Sequence, residues 1–66
     1  MQNVLSSAIQ AIGYDLHNNR LFIQFTHNPK IYEYYRVPES IYSGFMAARS
    51  KGDYYNIHIR DHYKPV

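Results

Sequence analysis

In the run RLFIQFT, Leu21, Ile23 and Phe25 alternate with Arg20, Gln24 and Thr26. Side chains two apart share one face of a strand, so Arg20–Thr26 specifies a sheet with one buried face. A chain of 66 residues buries only about 60% of the surface its unfolded form exposes. Every other large apolar side chain must therefore help to cover that face. No cysteine is present, which removes disulfides, thiolate zinc sites and thiol nucleophiles together. Eight tyrosines and three phenylalanines supply the bulk that a small domain needs instead.

The next alternating run, Ile31–Arg36, places Tyr32, Tyr34 and Arg36 on one face and Ile31, Glu33 and Tyr35 on the other. Burying Glu33 unpaired would cost several kcal/mol, whereas two tyrosine rings bury favourably when their hydroxyls reach the edge. Tyr32 and Tyr34 are therefore expected in the core with Leu21, Ile23 and Phe25, and Tyr35 outside with Phe22. An earlier strand is read over Ala8–Asp15, closed by Asn18-Asn19, and Asn28-Pro29 turns the chain between the later two.

Pro38 ends the sheet and opens a helix, with Glu39 near the positive end of the helix dipole. Ile41, Phe45 and Ala48 form its apolar stripe, broadened by Tyr42 and Met46. Gly44 costs about 1 kcal/mol there relative to alanine, so packing must outweigh it. Gly52 is expected to close that helix, and Asp53 to cap a second one reaching about Arg60, with Tyr55 and Ile59 as its buried edge. The expectation is an α+β domain spanning residues 1–66: a three-stranded antiparallel meander followed by two helices packed on one face, β-β-β-α-α. Met1–Ser7 is expected to be mobile. It lacks the basic and apolar regions of an export signal, and no run suggests a membrane span, so the chain is read as cytoplasmic.

The segments SSAIQAIGYD, LFIQF, YEYYRVPESIY and ARSKGDYYNIHIRDHY together resemble the KTSC domain. That is a short bacterial and phage module, also found at the C-terminus of some lysyl-tRNA synthetases. The resemblance runs from about Ser6 to the C-terminus. It rests on Tyr32-x-Tyr34 followed by Val37-Pro38, and on a block of Ser50, Gly52, Tyr54, Tyr55, Asn56, Ile59 and Arg60. Tyr55 stands where phenylalanine is common, and His27–Lys30 replaces a more glycine-rich turn. Company with a tRNA-charging enzyme implies RNA binding by association, not by mechanism.

Charge points to a site. Residues 1–48 balance Arg20, Lys30 and Arg36 against Asp15, Glu33 and Glu39, whereas residues 49–66 set Arg49, Lys51, Arg60 and Lys64 against only Asp53 and Asp61. All of the formal excess of +2 therefore lies in the last third, where it can steer an anionic partner. If two helices meet around Ser50–Asp53, then Arg49, Lys51, Arg60, Lys64, Asn56 and His58 converge. The exposed N–H groups of the second helix could add to phosphate binding there, and Tyr63 could stack on an unpaired base. The opposing reading is a solvated corner in which Arg60 pairs with Asp53 or Glu39. A second candidate is the outer sheet face, where Phe22, Ile31 and Tyr35 would lie beside Ala11 and Gly13. That face favours self-association or docking of a host protein over base stacking.

His58 and His62 have a metal-ligand spacing of four, but His17 and His27 fall roughly 20 Å or more apart, so no metal site is expected. The sequence also has no nucleophile elbow, no phosphate-cradling glycine loop and no closely spaced carboxylate pair. The reading is a non-enzymatic binding domain without a cofactor. It recognises RNA or single-stranded nucleic acid through the basic corner or, alternatively, a protein through the sheet face.

Overall fold

The computed structural model describes all of residues 1–66. An antiparallel sheet of four strands has the order β1 (Gln2–Asn3), β2 (Ile9–Asp15), β3 (Arg20–Phe25), β4 (Ile31–Tyr34). Helix α1 (Glu39–Ala47) and the short α2 (Lys51–Tyr54) follow, and α2 runs directly into a π-helix, Tyr55–Ile59. The sheet thus has one strand more than the three expected. Gln2 and Asn3 are polar on both faces, so alternation gives no sign of β1. It is held by pairing with Ile12 and Ala11.

The N-terminal segment is also pinned rather than mobile. Ser6 Oγ accepts from the N–H groups of Ala8 and Ile9, both at 3.1 Å. Thr26 Oγ1 donates to the Ser7 carbonyl at 2.9 Å. A bulge follows at the start of β2: Ile9 pairs with Phe25 and Ala11 with Gln24, so two steps on β2 oppose one on β3. Ile9 and Ile12 lie an odd number of residues apart, and the bulge is what lets both be fully buried.

Strand β4 keeps the expected alternation. Tyr34 is 1% exposed and Tyr35 43% exposed, while Tyr32 is half-buried. The strand stops at Tyr34, two residues earlier than expected, because Arg36 adopts a left-handed conformation with φ 57°. Asn19, with φ 54°, makes the corresponding turn between β2 and β3. Beyond the helices the chain returns to the sheet. Pro65 bridges to Tyr34, and the Val66 N–H donates to the Glu33 carbonyl at 2.8 Å, covering the free edge of β4.

Both helical segments pack on the face formed by Ile12, Leu21, Ile23 and Tyr34, and Phe45 and Ile59 complete that core. Pro38 precedes α1 as its cap residue instead of occupying the first turn. Helix α1 ends at Ala47, well before Gly52, because Ala48 is already extended. Gly52 lies inside α2. The cap of α2 is Ser50, whose Oγ accepts from the Asp53 N–H at 3.2 Å, in place of Asp53 itself. In the π-helix the Arg60 N–H reaches back five residues to the Tyr55 carbonyl at 2.8 Å. This wider turn lets Tyr54, Tyr55 and Ile59 all face inward. Tyr54 stacks on Phe45, Tyr55 meets Phe25 edge-on, and Ile59 is buried.

Candidate nucleic-acid interface

The break between α1 and α2 makes a corner. Ala48 and Ser50 are both extended, so Arg49 projects from a three-residue junction that belongs to neither helix. Across from it runs the pinned segment Leu5–Ala8. Between them lies a groove of about 380 Å³, lined by Leu5–Ala8 on one wall and by Arg49–Asp53 with Asn56 on the other. Its polar side chains are the Arg49 guanidinium, three serine hydroxyls, the Asn56 amide, the Lys51 ammonium and the Asp53 carboxylate. The hydroxyls of Ser6 and Ser50 accept backbone N–H bonds, which leaves each O–H free to donate.

Of the sequence-derived residues, Arg49, Lys51 and Asn56 line this groove. Arg49 and Asn56 are exposed. Lys51 is engaged elsewhere: its ammonium donates to the carbonyls of Ala48 at 2.6 Å and Met46 at 3.0 Å. Two of its three donors thus satisfy the last turn of α1. His58 lies outside the groove, its ring centroid 4.4 Å from that of Tyr54. Tyr63 leans on the core and is half-buried, so only part of its ring faces solvent. Arg60 and Lys64 are exposed beyond the groove. Ser6 and Ser7 are groove residues that the charge pattern passed over. A serine pair directly ahead of a strand is a turn signal, and that signal could have placed them.

The ion pairing is simple. Arg20 and Glu33, 2.9 Å apart on the outer sheet face, form the chain's one salt bridge. Arg60 therefore pairs with neither Asp53 nor Glu39, and Arg49, Arg60 and Lys64 keep their charge uncompensated by a bonded carboxylate. Asp53 is the groove's own negative charge. No group of three or more histidine, cysteine, aspartate or glutamate side chains is placed to hold a metal.

The outer sheet face is less open than expected: Ala11 on it is buried, and Phe22, Gln24 and Glu33 are half-buried. Ile31 is 49% exposed, and Tyr35 carries the Arg20 guanidinium over its ring at 4.5 Å. Phe22 is half-buried between Gly13 on β2 and Glu33 on β4. A Cβ added to Gly13 would come 2.8 Å from Met1 Cγ, so the first residue lies over this part of the sheet.

The fold and the groove define a small α+β domain built on a single antiparallel sheet, with its helical corner set against the N-terminal segment. The KTSC domain family model matches residues 5–63, and the chain belongs to that family. It is 38% identical over 66 residues to a protein of Tsukamurella paurometabola, covering all of this chain and 97% of that one. The crystal structure of a KTSC domain protein from Yersinia pestis superposes with a TM-score of 0.92 at 40% identity, over 98% of this chain and 90% of that one. No helix is long and apolar enough to cross a membrane.

Proposed function

We propose that this KTSC domain is a non-enzymatic cytoplasmic module that binds RNA or single-stranded nucleic acid at the corner groove. One observation carries the reading. Arg49 faces solvent with no bonded carboxylate, at the mouth of a groove whose other donors are serine hydroxyls and the Asn56 amide, with Asp53 as its single acid. Such donors suit phosphate oxygens and sugar hydroxyls, contacts that position a strand without reading its sequence. Arg60 and Lys64 are further exposed cations with no bonded carboxylate, outside the groove. Asp53 is the groove's lone carboxylate and no histidine lines it, so no acid is paired with a base there.

Asp53 also limits the affinity, since it opposes the same phosphates that Arg49 attracts. Three phosphate contacts, through Arg49, Arg60 and Lys64, lower single-strand affinity roughly twentyfold when salt is raised fourfold. Fluorescence anisotropy with mixed RNA and DNA oligonucleotides at 50 and 200 mM salt, on the order of the usual range, tests this. Arg49→Ala is expected to weaken binding roughly tenfold, as for loss of a charge-assisted contact. No binding at low salt, or binding indifferent to Arg49→Ala, would falsify the reading.

A further inference from the structure

We propose that the corner groove prefers RNA to DNA by reading the sugar: Asp53 accepts a hydrogen bond from a ribose 2′-hydroxyl while Arg49 holds the neighbouring phosphate. This rests on the reading of the groove as a nucleic-acid site and adds which kind of strand it takes. The Asp53 carboxylate is what phosphate binding alone leaves unexplained. It lines the groove and is exposed, yet no group of this chain donates to it. The residue is engaged only through its backbone N–H, which Ser50 Oγ accepts at 3.2 Å, and the chain's salt bridge lies elsewhere. In the free protein water solvates that carboxylate. A strand laid over the groove displaces the water and must supply a donor in its place, or the stranded charge weakens binding.

Between its ends, the backbone of a DNA strand cannot supply one, because its phosphate, ester and ring oxygens only accept. The 2′-hydroxyl of RNA is the one backbone group that both donates and accepts. In the groove it can give its proton to Asp53 and take one from a serine. The Ser6 and Ser50 hydroxyls already accept main-chain N–H bonds, which leaves their own protons to donate. Bases are poor substitutes here. No aromatic ring lines the groove, and its walls come together at Ala8 and Gly52, where a Cβ on Gly52 would lie 3.4 Å from that of Ala8. With nothing to stack on, a base is not held inside, and the groove meets the sugar–phosphate chain instead. Along that chain phosphate and 2′-hydroxyl alternate, one of each per nucleotide. The groove offers the matching pair: Arg49 as its free cation and Asp53 as its free acid, with Lys51 engaged by the carbonyls of Met46 and Ala48.

Fluorescence anisotropy with RNA, DNA and 2′-fluoro RNA of one mixed sequence separates the sugar from the rest of the strand. The 2′-fluoro strand keeps the RNA sugar pucker and the phosphates but cannot donate. At about 50 mM salt, RNA should bind about tenfold more tightly than either of the others, the usual effect of a hydrogen bond to a charged group. Asp53→Ala keeps the backbone N–H that bonds to Ser50 and should leave the circular dichroism native. It should bring the affinities for RNA, DNA and 2′-fluoro RNA within about twofold of one another, with DNA bound more tightly than by the parent because the opposing charge is gone. Comparing RNA with 2′-fluoro RNA on the parent chain needs no variant. Equal parent affinities for those two strands, both lowered by Arg49→Ala, overturn the sugar preference and leave the groove a nucleic-acid site. A preference for RNA that survives Asp53→Ala overturns the role of Asp53. Absence of binding to every strand overturns this inference and the groove reading together.

Discussion

Gly44 sits in the middle of α1, where alanine is ordinarily better by about 1 kcal/mol. Here a Cβ would overlap the Tyr54 hydroxyl and lie 3.1 Å from its Cζ and 3.2 Å from its Cε2. The ring cannot withdraw easily, because it stacks on Phe45 at 5.4 Å and its hydroxyl donates to the Ile41 carbonyl at 3.0 Å. Gly44→Ala is therefore expected to destabilise the protein by about 1–3 kcal/mol, the usual range for overpacking. Urea denaturation measures the loss, and Tyr54→Phe in the same chain should recover part of it by removing the overlapping hydroxyl. Tyr34 gives a second test. Burial, then the hydroxyl contact with Tyr55 at 3.2 Å, pushes its ionisation well above the ordinary tyrosine value of 10.0. A proton held more tightly in the folded state stabilises it below the unfolded pKa and stops doing so as pH rises through the folded one. Stability should accordingly be level up to about pH 10 and fall beyond it, and in Tyr34→Phe the alkaline fall should shrink. The roles of Tyr32, Tyr34 and Tyr35 were legible from sequence because Glu33 between them fixes which face is outside. The need for Gly44 was not, because it depends on a ring ten residues away.

At the scale of elements, the corner between α1 and α2 separates a structural cation from a candidate binding one. Lys51 spends its ammonium on the carbonyls of Met46 and Ala48, while Arg49, two residues earlier, has no carboxylate bonded to it. Lys51→Met keeps most of the stem but leaves the end of α1 without those bonds. It should lower stability by about 1 kcal/mol, a usual value for a bond to the main chain. Arg49→Ala should leave the unfolding midpoint within about 0.5 kcal/mol of the parent, as exposed substitutions do. Thermal unfolding of the two variants side by side makes the comparison, and equal losses would contradict the assignment. Composition treats these cations alike, and nothing in their spacing tells a helix-capping lysine from a free arginine. The Ser50-x-x-Asp53 spacing is a cap signal, but the cap expected from sequence is Asp53, with the first helix closing at Gly52, whereas Ser50 is the cap. The bulge at Ile9 and the π-helix were not readable, since each adds a residue to a regular period. Strand β1 escaped notice for a different reason: it is backbone pairing with no apolar face to announce it.

Taken as a whole molecule, the domain has one core and no reserve. The eight-residue buried cluster takes Ile9 and Ile12 from β2, Leu21 and Ile23 from β3, Tyr34 from β4, Val37 from the link, Phe45 from α1 and Ile59 from the π-helix. Only Phe45 represents α1 in it, with Ile41, Tyr42 and Met46 packed at its edge and Tyr42 stacked on Tyr14 of β2 at 4.9 Å. A chain of this size commonly has roughly 3–10 kcal/mol of total stability, at about 0.05–0.15 kcal/mol per residue. Phe45→Ala removes about 3–5 kcal/mol by transfer and cavity terms together, a large share of that total. Because α1, the π-helix and the three long strands meet in the same cluster, no part can persist once α1 detaches. Phe45→Ala should therefore lose far-ultraviolet and near-ultraviolet circular dichroism in a single transition, at a midpoint far below the parent's. Phe45→Leu, which retains most of the volume, should remain folded at room temperature. A Phe45→Ala chain that kept native sheet signal while losing only helix would mean that the sheet stands without its cover, and the single-core description would fall.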